Sequence, residues 1–279
     1  MSNALPETVR ESTYCSTLSK LDFFSLQNLL HGQISALRVP SYYPISRCAE
    51  LSQWFIEHKF RALYGQNVAD PSDPGKVKYL DYHVDRIGYP RNLLIGKSNT
   101  SAEFEQYFSQ NNSIFQEINK ITKNNHPIVK LIEEVSCIHR FGACIEKING
   151  QQAFCGIGRI TRSGKDTLLS KLPHVDGTWP YTMHFSANIY LQVPELGGEL
   201  ELLGGPILSA EEVAQIGPEH EFRADPNYCA SQLIKPEVGD LIIINTRQPH
   251  AVRGFENGKR VSISSFIGYD PGQALKFYS

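Results

Sequence analysis

The sequence predicts an α+β fold in which helices of a mainly helical first part, residues 1–136, pack on the larger sheet of a double-stranded β-helix, or jelly roll, formed by residues 137–270. Three observations predict it. Before residue 136 apolar side chains recur at helical spacing; after it, short alternating segments are separated by glycine turns. The aromatic load, 13 Tyr and 14 Phe against 2 Trp, suits a strand-rich half. No repeat or low-complexity run divides the chain, so residues 1–279 read as one domain.

Taken in order, residues 1–20 are polar and rich in Ser and Thr, and read as a loose leader. Leu21 to His31 reads as a short amphipathic helix. Ile34 to Val39 alternates as a strand and stops at Pro40. From Ser46 to Phe60, Leu51, Trp54, Phe55 and Ile56 fit a helix face with Ser46 as N-cap. Residues 62–100 carry turn signals such as Asp73-Pro74-Gly75 and read as irregular. Ser101 to Ser136 reads as helix, interrupted near Pro127. Seven strands follow: Cys137–Ile145, Ala153–Arg162, His184–Val193, Glu199–Leu203, Leu241–Asn245, His250–Gly254 and Arg260–Tyr269. Their number and spacing fit two antiparallel sheets.

Composition excludes several classes. A net charge of −2 offers no polyanion-binding surface, so no nucleic-acid partner is expected. No stretch reaches the ~20 apolar residues of a membrane span, and Met1 to Arg10 lacks the apolar run of a secretion signal. The six cysteines show no CxxC spacing and read as reduced thiols of a cytoplasmic protein.

The chemistry begins at Leu172-Pro-His174-Val-Asp176-Gly177. Residues two apart on an extended segment point the same way, so His174 and Asp176 can converge on one ion. A second imidazole from a late strand completes a two-histidine, one-carboxylate facial set, which suits non-haem iron(II) and leaves positions open. His250 stands where such a strand should deliver it. The tripeptide alone is weak, since His83-Val84-Asp85 repeats it. The surroundings of that copy do not read as paired strands, so His83 and Asp85 are expected at the surface or the pocket mouth.

Arg260 comes ten residues after His250, and Ser262 shares its strand face. A guanidinium fork binds the far carboxylate of a dicarboxylate in parallel hydrogen bonds, and a hydroxyl adds another. With H-x-D, a long gap, His and then R-x-S, the sequence resembles the 2-oxoglutarate/iron(II) oxygenase superfamily over residues 137–270. Pro194-Glu-Leu-Gly-Gly-Glu-Leu200 and Lys235-Pro-Glu-Val-Gly-Asp-Leu-Ile242 look most like its small-molecule halogenase and hydroxylase branch. Halogenases of that branch have a small residue where Asp176 stands. The resemblance therefore implies hydroxylation, or a related oxidation such as desaturation, with iron(II), 2-oxoglutarate and O2, giving succinate and CO2. The substrate it implies is a small molecule, a free amino acid or natural-product intermediate. A protein or carrier-bound substrate, and a non-enzymatic metal-binding jelly roll, stay open as alternatives. Substrate identity and oligomeric state are not legible.

Further candidates come from strand alternation. On His184–Val193, Phe185, Ala187, Ile189 and Leu191 should face the helices, while Ser186, Asn188 and Tyr190 line the cavity. Asn188 and Tyr190 are thus candidate 2-oxoglutarate contacts. Arg159 can meet an anionic group, and Trp179 and Tyr181 can wall the substrate site. His184 reads as structural. Ser209-Ala-Glu-Glu212 has a capping-box pattern opening an insert to Cys229, a lid or a surface decoration.

Overall fold

The computed structural model describes residues 13–70, 73–163, 173–176, 180–205, 207–215 and 231–279. In chain order the elements are β1 (Thr13–Thr17), α1 (Phe23–Leu30), β2 (Ile34–Val39), α2 (Ile45–Glu57), β3 (Arg61–Asp70), β4 (Asp73–Ile87), α3 (Ala102–Ile121) and α4 (Pro127–Ile138). They continue with β5 (Ala143–Ile145), β6 (Lys147–Ile148), β7 (Gln151–Gln152), β8 (Ile157–Thr161), β9 (Met183–Gln192), β10 (Leu200–Leu203) and α5 (Ala210–Gln215). The last are β11 (Ser231–Ile234), β12 (Leu241–Asn245), β13 (His250–Val252), β14 (Arg260–Tyr269) and β15 (Leu275–Tyr278). The fold is mixed α and β around one large sheet. No helix among the described residues is long and apolar enough to cross a membrane.

The large sheet runs β1-β2-β12-β9-β14-β8-β4-β3, with β15 bridging β14 and β5. A smaller sheet runs β11-β10-β13 and is extended by the bridge between His174 and His250. From β8 onward the chain steps between the two sheets: β8 large, His174 small, β9 large, β10 and β11 small, β12 large, β13 small, β14 large. This stepping brings residues far apart in sequence to facing positions.

Two apolar layers hold the sheets in place. Phe185, Ala187, Ile189 and Leu191 of β9 pack with Leu51 and Phe55 of α2 and Leu131 of α4, as their alternation predicts. The contact is close: a Cβ on Gly158 of β8 would lie 2.9 Å from the Phe55 ring. Between the sheets lie Tyr190, Leu200, Leu202, Ile234, Ile242 and Ile244. β12 serves both layers, which is why Leu241 to Ile244 is an unbroken apolar run.

Several sequence expectations need correction. The supposed leader contains β1, which pairs in parallel with β2. Helix α2 starts at Ile45 after Pro44, so Ser46 lies inside its first turn and caps nothing. The region 62–100 is not irregular. Most of it is the β3–β4 hairpin, whose exposed side chains (Val77 at 70 %, Leu63 at 53 %) hide it from any burial pattern. The expected strand Cys137–Ile145 shrinks to β5, because α4 runs on to Ile138. β11 and β15 were not anticipated. The capping box at α5 does form: Ser209 N–H donates to the Glu212 carboxylate (2.7 Å) and Glu212 N–H to Ser209 Oγ (3.2 Å). The remainder of that insert lies largely outside the described residues.

Candidate metal centre

The loop carrying His174 and Asp176 is tied to the strand end carrying His250 by main-chain bonds. His174 N–H donates to the His250 carbonyl (2.8 Å), and His250 N–H returns to the His174 carbonyl (2.9 Å). Asp176 N–H donates to the Thr246 carbonyl (3.1 Å). One ligand atom from each of His174, Asp176 and His250 lies within 4.8 Å of the other two, and the imidazole centroids are 4.5 Å apart. Facial ligands about 2.1 Å from one ion stand about 3 Å apart, so the three side chains would close in around a bound ion.

The surroundings suit a cation. His250 Nδ1 sits 2.9 Å from the Gln248 carbonyl, so Nδ1 carries the proton and Nε2 keeps its lone pair for a metal. Gln248 is fully buried and held by Ser35 Oγ (3.1 Å), while its Nε2 donates to the Leu203 carbonyl. Burial alone would raise the Asp176 carboxyl. The His250 and His174 imidazoles facing it and the Arg159 guanidinium outweigh that and hold it below the usual carboxylate range. His184 is pushed down to about 3 by desolvation, and its Nδ1 meets Thr246 Oγ1 at 2.7 Å.

The duplicate tripeptide has another fate. His83 sits at a bulge of β4 with φ of 54°, where the pairing with β3 slips. Asp85 is buried against Arg61 (2.5 Å) and Arg162 (3.2 Å). His83 and Asp85 thus lie in a paired strand after all, and Asp85 is an ion-pair partner of two arginines.

Arg260 is buried at 9 % exposure, with no carboxylate in ion-pair range among the described residues. Its Nη2 donates to the Tyr190 hydroxyl (2.9 Å) and its Nε to the Gly198 carbonyl (3.1 Å). Its plane lies 4.8 Å from the Tyr190 ring centroid. A chain of hydroxyls continues along the same face: Ser262 Oγ to Ser264 Oγ at 3.3 Å, and Ser264 Oγ donating to Asn188 Oδ1 at 2.7 Å. Tyr190 therefore orients Arg260, while Asn188 is engaged by Ser264 and Ser186. Tyr181 stacks on Tyr278 at 5.8 Å and lines a cavity of about 640 Å³ with Glu146, Lys147, Asp270 and Lys276, whose walls contain none of the three candidate ligands. Trp179 lies outside the described residues. Arg159 projects from β8, its guanidinium 5.7 Å from the Tyr64 ring centroid and 5.5 Å from that of Phe266. Tyr64, Tyr82 and Arg86, near this group, were missed because the strands carrying them were missed.

No family model matches the chain, and no curated protein does. Solved structures do. An N-substituted L-amino acid dioxygenase from Burkholderia ambifaria AMMD aligns at 12% identity and TM-score 0.43, covering 78% of this chain and 100% of that one. HygX from Streptomyces hygroscopicus, solved with nickel and 2-oxoglutarate bound, aligns at 13% and 0.45, covering 91% and 89%. An oxidoreductase of the 2OG-Fe(II) oxygenase family from Burkholderia pseudomallei aligns at 13% and 0.41, covering 91% and 94%. These likenesses are distant, so the chemistry has to be argued from this chain's own residues.

Proposed function

We propose that this protein is an iron(II)- and 2-oxoglutarate-dependent oxygenase, most simply a hydroxylase acting on a C–H of a small molecule. The observation that carries the reading is a pair of features on one scaffold. The same fold holds a two-histidine, one-carboxylate cluster and a buried arginine that has no acid of its own among the described residues. A metal-binding protein without a dicarboxylate co-substrate has no use for the second feature. The stepping of strands between two sheets is, on this reading, the double-stranded β-helix.

His174, Asp176 and His250 would hold the iron, the donor set leaving coordination positions for co-substrate and dioxygen. When bound, the metal with 2-oxoglutarate and dioxygen supplies the oxidising power for C–H hydroxylation, with succinate and CO2 as products. Arg260 binds the distal carboxylate of 2-oxoglutarate, with Ser262 adding a hydroxyl on the same strand face and Tyr190 fixing the guanidinium. The apolar residues between the sheets keep water from that ion pair and strengthen it. Asp176 favours oxygen transfer over halogen transfer, because its carboxylate fills the position that a halide would need.

Anaerobic protein given iron(II) and 2-oxoglutarate should develop a weak visible charge-transfer band. His174→Ala should abolish it. A band unchanged in that variant overturns the assignment of the ligands.

A further inference from the structure

Arg86 of β4 and Arg159 of β8 are direct cross-strand partners. In such a pair the Cβ atoms are about 4.5–5.5 Å apart and the side chains share a face, so two like charges there repel. Neither has a carboxylate in ion-pair range among the described residues. By contrast Arg38, Arg61, Arg91, Arg162 and Arg253 each reach one. Both Nε atoms, of Arg86 and of Arg159, are buried without a hydrogen-bond partner among the described residues. Arg86 spends Nη1 on the Gly88 carbonyl (2.7 Å) and lies 5.5 Å from the Tyr89 ring, and desolvation pulls its pKa down against the smaller opposing pull of Tyr64, Tyr89 and Tyr79. Partly desolvated guanidiniums without an acid partner are costly unless something anionic joins them.

The pair neighbours the candidate centre. The Phe266 ring 5.5 Å from the Arg159 guanidinium also packs on the His184 ring (4.8 Å), and Thr246, whose hydroxyl meets His184, accepts the Asp176 N–H on its carbonyl. Arg159 pairs across to Ser262 on its other side, which places it on the cavity face of the sheet. The rings of Tyr64 and Phe266 flank its guanidinium, and Tyr82 packs edge-on to Tyr64 at 5.4 Å. Two guanidiniums thus rise from facing positions of neighbouring strands, with aromatic rings beside each.

We infer that Arg86 and Arg159 together seat a carboxylate of the prime substrate, whose apolar body lies against Tyr64 and Tyr82. Planar forks suit a planar carboxylate held by parallel hydrogen bonds. The seat itself follows from the two arginines; calling its occupant a substrate rests on the oxygenase reading above. The same chemistry would hold the 1-carboxylate of 2-oxoglutarate, so the experiment has to separate the two.

Phenylacetate and phenylacetamide serve as matched probes of metal-free protein by thermal melting. The acid should raise the melting temperature and the amide should not. Arg86→Gln and Arg159→Gln should each remove the rise, while melting within a few degrees of wild type without ligand. Equal stabilisation by acid and amide overturns the proposal, as does a rise kept in the double variant. Variants that melt far lower unliganded would mark the pair as structural and also overturn it.

With iron(II) and 2-oxoglutarate, succinate formation should be stimulated by small carboxylic acids and not by their amides. Arg159→Gln should raise KM for the acid at least tenfold while leaving the 2-oxoglutarate titration unchanged. A shift in 2-oxoglutarate affinity instead assigns the seat to the co-substrate and overturns the substrate role. Carboxylate-selective binding without any succinate supports the seat and removes the oxygenase reading. Succinate formed with no preference for acids does the reverse.

Discussion

Replacing Arg260 with Gln removes one charge from a buried position and leaves an amide of similar reach. In the structure Arg260 already spends Nη2 on the Tyr190 hydroxyl and Nε on the Gly198 carbonyl. Its remaining N–H groups are the ones left for a ligand. A hydrogen bond to a charged group contributes about 1.5–3 kcal/mol, and a bidentate pair falls short of twice that because the two are not independent. A loss of about 2–4 kcal/mol weakens 2-oxoglutarate binding about 30- to 1,000-fold. The assay is anaerobic titration of the iron(II) charge-transfer band, run in parallel with pyruvate, which keeps the 2-oxo acid head and lacks the distal carboxylate. Arg260→Gln should weaken 2-oxoglutarate by that factor and leave pyruvate nearly unmoved. Equal weakening of both, or of neither, would refute the clamp, the first by showing that the site as a whole was damaged.

Two further outcomes follow from the scaffold. His126 caps α4, its Nδ1 accepting from Ile128 N–H (3.2 Å) and Val129 N–H (3.4 Å), and burial pushes it down to about 3. The unfolded chain takes up that proton near pH 6.5 and the folded one only near 3. Stability therefore falls as pH drops through this window, by about 1.4 kcal/mol per unit for this group, and is unaffected above it. His126→Asn keeps a capping oxygen without the titration, so urea melts between pH 7.5 and 4.5 should show a shallower acid loss; a difference from wild type that is constant with pH sinks the account. Phe55→Ala should cost about 3–5 kcal/mol in the same melts, since the ring is fully buried against Gly158. A loss under about 1 kcal/mol would show that α2 is not packed on β8 as described.

Local pattern carried a good share of the fold. β14 spans Arg260–Tyr269, as its alternation and flanking turn signals indicate, and the helix-facing residues of β9 are those that period two selects. Both signals are short-range and depend on burial of one face or two. The β3–β4 hairpin was invisible for the converse reason. The side chains toward its tip are exposed, its Asp73-Pro-Gly turn reads equally well as loop, and main-chain pairing leaves no mark on composition. Missing it also meant missing Tyr64, Tyr82 and Arg86.

The donor types were legible because chemistry restricts them: two imidazoles, one carboxylate and a later arginine, in that order along the chain. Which His-Val-Asp was the right one could not follow from the tripeptide, since both copies share the same local periodicity. Context favoured His174, and tertiary pairing is what gathers it with Asp176 and His250. Main-chain bonds lay His174 and Asp176 against His250 and Thr246, whereas β4 turns Asp85 into a clasp for Arg61 and Arg162. The pairing of Arg86 with Arg159 is likewise a matter of sheet register alone, because only the hydrogen-bond ladder between two strands distant in sequence sets them opposite each other.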